Sequence, residues 1–111
     1  MLTSPNYPED YPNNLDLVHK IQVPEGNTIW LRFTELTLEP FADKIRVTDG
    51  DGTSLGDYFN GLLVSRTNTV EVQFHTDSST TKRGWRLEWG EFKVKLIVSI
   101  QINIVPRNGW R

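Results

Sequence analysis

The stretch Phe74–Trp89, FHTDSSTTKRGWRLEW, decides the fold because it reads as a strand, an acidic loop and a second strand. Every second residue is apolar from Val70 to Phe74 before the loop and from Trp85 to Trp89 after it. This alternation is typical of strands with one buried face. The run Asp77–Thr81 contains only Asp, Ser and Thr, whose side chains hydrogen-bond to nearby backbone and favour turns. The stretch therefore predicts two antiparallel strands joined by an acidic, hydroxyl-rich loop.

The loop of this unit has two interpretations. A carboxylate followed at once by hydroxyl groups can bind a hard cation such as calcium. The same residues also form ordinary Asp-Ser turns that hold no ligand. Short motifs of this kind recur by chance, so the stretch alone leaves both interpretations open.

Length and composition predict one globular domain. The chain has 111 residues, of which 37% are hydrophobic and 23% are charged. A net charge of −2 argues against a nucleic-acid or anionic membrane partner, and no apolar run is long enough to span a bilayer. No signal-peptide pattern is visible. The chain has no cysteine, which excludes disulfides, thiol nucleophiles and cysteine-ligated zinc.

Short alternating segments separated by turns run through the rest of the chain. Turn signals lie at Pro24–Asn27 and at Asp49–Gly52, and no window has a helical period. The proline-rich segment Thr3–Asn14 predicts extended chain over the surface, with at least one of its two tyrosines buried. The pattern predicts an all-β antiparallel sandwich. Its strands are expected at Lys20–Val23, Thr28–Phe33 with a continuation to Glu39, Lys44–Thr48, Leu55–Phe59 and Asn68–Phe74.

The C-terminal segment has a different phase. Apolar residues occupy even positions from Phe92 to Ile104, whereas they occupy odd positions from Trp85 to Trp89. The change predicts a bulge or corner at Gly90-Glu91. We expect residues 92–111 to form an extension to the domain at 2–91, containing a long strand that adds to a sheet or mediates self-association.

Taken in order, these segments resemble a CUB domain over about Leu2–Gly90. The closing GWRLEW is especially similar to the second CUB module of complement-type modular serine proteases. The resemblance implies a jelly-roll-like antiparallel β-sandwich, an extracellular setting and a role in binding proteins. The segments that carry it are SPNYPEDYP, IQVPEG, WLRFTELTLE, DKIRVTDG, LGDYFNG and NTVEVQFHTDSSTTKRGWRLEW.

The resemblance also implies a calcium site built from three carboxylates. Calcium takes roughly six to eight oxygen ligands, and carboxylates gathered without a cation repel one another. In calcium-binding members of the family, acidic groups beside the ion accept a lysine or arginine from the protein partner. The implied metal residues are Glu39, Asp43, Asp77, Ser79 and Thr80, and the implied partner-binding residues are Tyr11, Glu39, Asp43 and Asp77.

The chain departs from the family pattern at several points. Ala42 stands where a tyrosine is customary, and Thr80 replaces the usual asparagine. Leu17 and Asn60 lie near positions where the family has cysteines, and the opening strand before Ser4 is expected to be absent.

Two other functions compete with calcium-stabilised protein binding. A hydrolase would need His19 or His75 as general base, but neither lies in a nucleophile motif and His75 is predicted to face solvent. We therefore expect no enzymatic activity. A carbohydrate-binding sandwich would instead use exposed aromatic residues such as Trp30 or Trp110 as stacking platforms.

Overall fold

The computed structural model describes residues 1–56 and 61–93. Within these residues the chain forms eight β-strands and no helix, and every strand pair is antiparallel. None of the described residues belongs to a helix able to cross a membrane. The strands are β1 (Leu2–Thr3), β2 (Asp16–Gln22), β3 (Asn27–Thr37), β4 (Lys44–Asp49), β5 (Ser54–Gly56), β6 (Leu62–Val64), β7 (Thr69–His75) and β8 (Gly84–Lys93).

Two four-stranded sheets build a sandwich, with strand orders β1-β8-β3-β6 and β2-β7-β4-β5. The inward residues of both sheets form one core, as the alternation predicts. Its largest buried side chains are Trp85, Tyr11 and Phe74. Phe74 contacts both of the others edge to face, with ring centroids 5.1 Å from Tyr11 and 5.8 Å from Trp85. The all-β antiparallel prediction is confirmed. The two strands on either side of the Asp77 loop do not form the expected hairpin, because β7 and β8 belong to different sheets.

Strand β3 contains an irregularity in its second half. The pairing of β3 with β8 shifts register between Phe33 and Glu35. A bulge of this kind changes which residues face inward, so Leu36 and Leu38 pack against the core after Phe33 has done so. The apolar alternation can therefore continue as far as the residue before Glu39.

The predicted bulge at Gly90-Glu91 is wrong. Strand β8 runs without a register shift through Trp30↔Gly90 and Ile29↔Glu91 to Thr28↔Phe92. The ladder with β3 continues, so the change of phase places Phe92 on the outer face with 44% of its surface exposed. The remainder of the predicted Phe92–Ile104 strand lies outside the described residues.

Strands β3, β4, β7 and β8 overlap their predicted places, with differences at the ends, whereas β6 at Leu62–Val64 was not predicted. Strand β2 begins at Asp16, four residues before its predicted start, because pairing with β7 extends along its whole length. The opening strand expected to be absent is present as β1, where Leu2 pairs with Leu87 of β8. The segment predicted as Leu55–Phe59 overlaps β5, and residues 57–60 lie outside the described chain.

Candidate metal centre

Three carboxylates converge where loops from both sheets meet. Glu39 follows the end of β3, Asp43 directly precedes β4, and Asp77 follows the end of β7. One oxygen from each carboxylate lies within 4.8 Å of the others. Asp77 lies 34 positions after Asp43, so the sandwich brings it beside the other two. We call these residues, with the neighbouring Tyr11, the acidic rim.

Asp43 is the buried centre of the acidic rim, with 5% of its surface exposed. Its backbone N–H donates to the Glu39 carbonyl at 3.2 Å, which closes the short loop between the two acidic residues. Its Oδ1 accepts the backbone N–H of Asp77 at 3.0 Å, and its Oδ2 accepts the Tyr11 hydroxyl at 2.5 Å. Asp43 therefore links β4 to the loop after β7 and to the N-terminal segment.

Of the two tyrosines in the N-terminal segment, Tyr11 is the one that the fold buries, with 1% of its surface exposed. Besides donating to Asp43, its hydroxyl accepts the backbone N–H of Glu39 at 3.1 Å. Burial raises the pKa of Tyr11 well above its usual value, and the hydrogen bond to Asp43 raises it further. The hydroxyl therefore stays protonated and orients the Asp43 carboxylate.

The loop after β7 presents Asp77 to the other carboxylates. The Asp77 carbonyl accepts the backbone N–H of Asn14 at 2.8 Å, and its Oδ1 accepts the N–H of Ser79 at 3.2 Å. The structure places Ser79 and Thr80 on the exposed part of this loop, with Thr80 in the left-handed region at φ 64°. All the predicted site residues thus lie on or beside one rim.

The electrostatics of the rim fit a hard divalent cation. Oε1 of Glu39 is buried and has no hydrogen-bond partner among the described residues. A buried charged oxygen without a partner is costly, and so are three carboxylates in close proximity. Carboxylate oxygens are the ligands that calcium prefers, and a cation would satisfy the Glu39 oxygen and screen the repulsion.

One exposed residue beside the rim has no counterpart in the sequence analysis. Phe41 lies in the loop between Glu39 and Asp43 with 99% of its surface exposed and φ at 68°. Its only signal in the sequence is its place, as a large apolar residue directly after Pro40 and between two carboxylates.

The residues considered for other functions lie elsewhere. His75 is exposed, as predicted. Its Nδ1 lies 2.9 Å from Oδ1 of Asp16. His19 instead faces inward, where its ring contacts Trp85 with centroids 6.3 Å apart. Trp30 is half-buried, and its indole covers Gly90 so closely that an added Cβ there would lie 2.6 Å from Nε1. Trp110 lies outside the described residues.

Comparison with known proteins agrees with the fold. The sequence profile of the CUB domain matches residues 1–89. Protein SpAN of Strongylocentrotus purpuratus is 34% identical over 113 residues, which cover 94% of this chain and 17% of SpAN. The chain thus spans less than a fifth of that relative.

Two solved structures are similar to the chain in fold and in sequence. The full extracellular region of zebrafish Gpr126/Adgrg6 superposes with a TM-score of 0.73 at 31% identity, covering 84% of this chain and 13% of that one. The MASP-1 CUB2 domain bound to Ca²⁺ superposes with a TM-score of 0.68 at 25% identity, covering 79% of this chain and 88% of that domain.

Proposed function

The chain belongs to the CUB domain family, and from this we propose that it is a calcium-stabilised module that binds a basic side chain of a protein partner at the acidic rim. CUB domains are non-catalytic protein–protein interaction modules, and proteins that contain them are mostly extracellular or secreted. We propose the same setting for this chain.

The observation that carries the proposal is the convergence of Glu39, Asp43 and Asp77 with an unpartnered buried oxygen on Glu39. These carboxylates would hold the ion, and the exposed Ser79-Thr80 loop could add further oxygen ligands. The ion would supply the positive charge that joins loops from both sheets. The MASP-1 CUB2 domain, which is similar in fold and sequence, is a calcium-bound relative.

A basic partner follows from the charge balance of the rim. Three carboxylates carry one more negative charge than a calcium ion neutralises. The remaining charge favours a lysine or arginine, and hydrogen bonds between ionised groups are about twice as strong as neutral ones. Tyr11 would contribute by keeping the Asp43 carboxylate oriented. Because part of the rim is exposed, the attraction should weaken as salt is added.

A titration followed by a binding measurement tests this function. Calcium is titrated into the protein by calorimetry, and binding to an immobilised lysine peptide is then measured in calcium and in chelator. We expect calcium binding and calcium-dependent capture of the lysine peptide, with both lost in Asp77→Asn. Glu71→Gln is the matched control, because Glu71 is an exposed carboxylate in β7, the strand that leads to Asp77. Capture that is equal for a norleucine peptide, or equal in chelator, would contradict the proposal.

Self-association through the C-terminal segment remains a separate prediction. The segment is expected at 92–111, but residues 92 and 93 already pair with β3, so the informative truncation ends the chain after Lys93. We expect the truncated protein to form assemblies of fewer copies, or to have a lower melting temperature, than the full chain. Sedimentation and calorimetry that find neither change would show that residues 94–111 are not part of the fold.

A further inference from the structure

A groove on the outer face of the β2-β7-β4-β5 sheet adjoins the acidic rim. Its volume is about 520 Å³, and Phe41 and Asp43 line its rim end. Strand register sets two rows of outward side chains across β2, β7 and β4 on its floor. The row nearer the rim is Asp16, His75 and Lys44, and the next row is Val18, Gln73 and Arg46.

The groove has apolar side chains at two of its boundaries. Phe41 is 99% exposed at the rim end, and Val18 is 62% exposed on β2. Between them, Asp16 and His75 contact each other at 2.9 Å. Lys44 and Arg46 also line the floor. Most of the groove surface is nevertheless apolar, and the two cations disfavour a second basic residue, so the groove fits a large apolar side chain.

Phe41 is held within a short distance of the rim. It lies two residues after Glu39 and two before Asp43, in a loop closed by the Asp43 N–H to Glu39 carbonyl hydrogen bond. Two residues of chain span at most about 7 Å. In an extended peptide, residues i and i+2 point to the same side and are also about 7 Å apart. An extended partner with its basic residue at the rim therefore places the residue two positions away beside Phe41.

We propose that this groove binds a large apolar residue of the partner, located two positions from the basic residue that the acidic rim accepts. The occupant is an extended polypeptide segment of a protein partner, and Phe41 selects it. The inference rests on the proposed function, since the rim must hold the basic residue for the spacing to apply. Phe41 then serves as a specificity-determining residue and makes no contact with the ion.

Four immobilised peptides test the groove and the rim separately. They contain Lys-Gly-Leu, Leu-Gly-Lys, Lys-Gly-Ser and norleucine-Gly-Leu between identical Gly-Ser arms, and binding is measured in calcium. We expect one of the two leucine–lysine orders to bind wild type about tenfold more tightly than Lys-Gly-Ser, from partial burial of the leucine side chain. In Phe41→Ala this preference should fall to about twofold or less, whereas Phe41→Trp should retain it.

The outcomes distinguish the two proposals. Equal binding of the leucine and serine peptides to wild type, with lysine still required, overturns the groove and leaves the proposed function intact. Binding of the norleucine peptide as tight as that of the tighter leucine–lysine peptide, or binding of none, overturns both. A doubled mass in solution that Phe41→Ala abolishes would overturn the inference, because the occupant would be a second copy. Since Phe41 is fully exposed, an unchanged melting temperature of Phe41→Ala verifies that the variant is folded.

Discussion

The two ends of strand β4 each carry a buried aspartate, and the two have different surroundings. Asp43 directly precedes the strand and Asp49 ends it, with 5% and 3% of their surfaces exposed. Residue type and burial are therefore nearly the same. What differs is the surroundings that the rest of the chain supplies.

Asp49 is satisfied by the protein itself. Its Oδ1 accepts the Gly50 N–H at 2.7 Å, the Thr67 hydroxyl at 2.6 Å and the Thr67 N–H at 3.2 Å. Its Oδ2 accepts the Arg66 N–H at 2.7 Å. Burial by itself would raise the pKa of Asp49, but these hydrogen bonds outweigh it and lower the pKa below its usual value.

Asp43 accepts fewer hydrogen bonds than Asp49, and its neighbours are acidic. Its hydrogen bonds within the described chain come from the Asp77 N–H and the Tyr11 hydroxyl, and the Glu39 and Asp77 carboxylates lie close by. A buried carboxylate surrounded by donors is satisfied by the protein, whereas a cation would stabilise one that has carboxylate neighbours. The balance of donors and charges, and not burial, separates Asp49 from the aspartate that we propose binds an ion.

The largest expected effect on stability comes from replacing Asp49, whose carboxylate is hydrogen-bonded by the protein itself. Asp49→Ala should lower the free energy of unfolding by about 3 kcal/mol or more, because it leaves several backbone N–H groups without their acceptor. Denaturant unfolding measures the loss, which should be the same in calcium and in chelator. Asp51→Ala is the control, since Asp51 is exposed and its carboxylate only accepts the Thr53 N–H at 2.9 Å and pairs with Arg66 at 3.2 Å. A loss that appears only in calcium would contradict the assignment.

Calcium should have the next largest effect on stability, by binding at the acidic rim beside Asp43. An ion bound only by the folded state stabilises it by about 2.7 kcal/mol at a hundredfold excess over its dissociation constant. Thermal unfolding in calcium and in chelator should show this gain in wild type and not in Asp77→Asn. In chelator, Glu39→Gln should be as stable as wild type or more so, because it removes repulsion at the rim. A melting temperature indifferent to calcium would show that the rim binds no ion.

Acid should lower the free energy of unfolding through protonation of Asp49, by a smaller amount than calcium removal does. The pKa of Asp49 is lowered in the folded state, so its contribution is fully present above the unfolded value of about 3.9. That contribution is lost as the pH falls through the lower folded pKa. Unfolding curves in chelator below about pH 4 should therefore be steeper in pH for wild type than for Asp49→Asn. Equal slopes would show that Asp49 does not couple folding to protonation.

The smallest effect is expected from a carboxylate that is neither buried nor clustered. Asp16 forms an exposed pair with His75 at 2.9 Å. Exposed pairs contribute about 0.5 kcal/mol or less, so Asp16→Asn should hardly change stability and should leave calcium binding intact. A large calcium-dependent loss of stability would show that Asp16 of β2 belongs to the acidic rim.

Much of the fold could be predicted because its signals are local. The alternation in Val70–Phe74 and Trp85–Trp89 reports which side of each strand is buried, and the Asp49–Gly52 signal marks the turn between β4 and β5. The phase change after Trp89 was misleading. A strand keeps its register when its partner offers a continuous ladder, and here β3 does so.

By itself, the sequence determined the class of fold, the core-facing positions and, through the ordered family motifs, the carboxylates of the acidic rim. Only the tertiary structure decided that Asp43 lacks the donors that surround Asp49. The donors come from distant segments, with Tyr11 32 positions from Asp43 and Arg66 17 positions from Asp49. It also decided that Phe41 is exposed beside a groove. Such features depend on how loops from separate strands meet, and a local pattern does not encode that meeting because it is set by strand register and sheet packing.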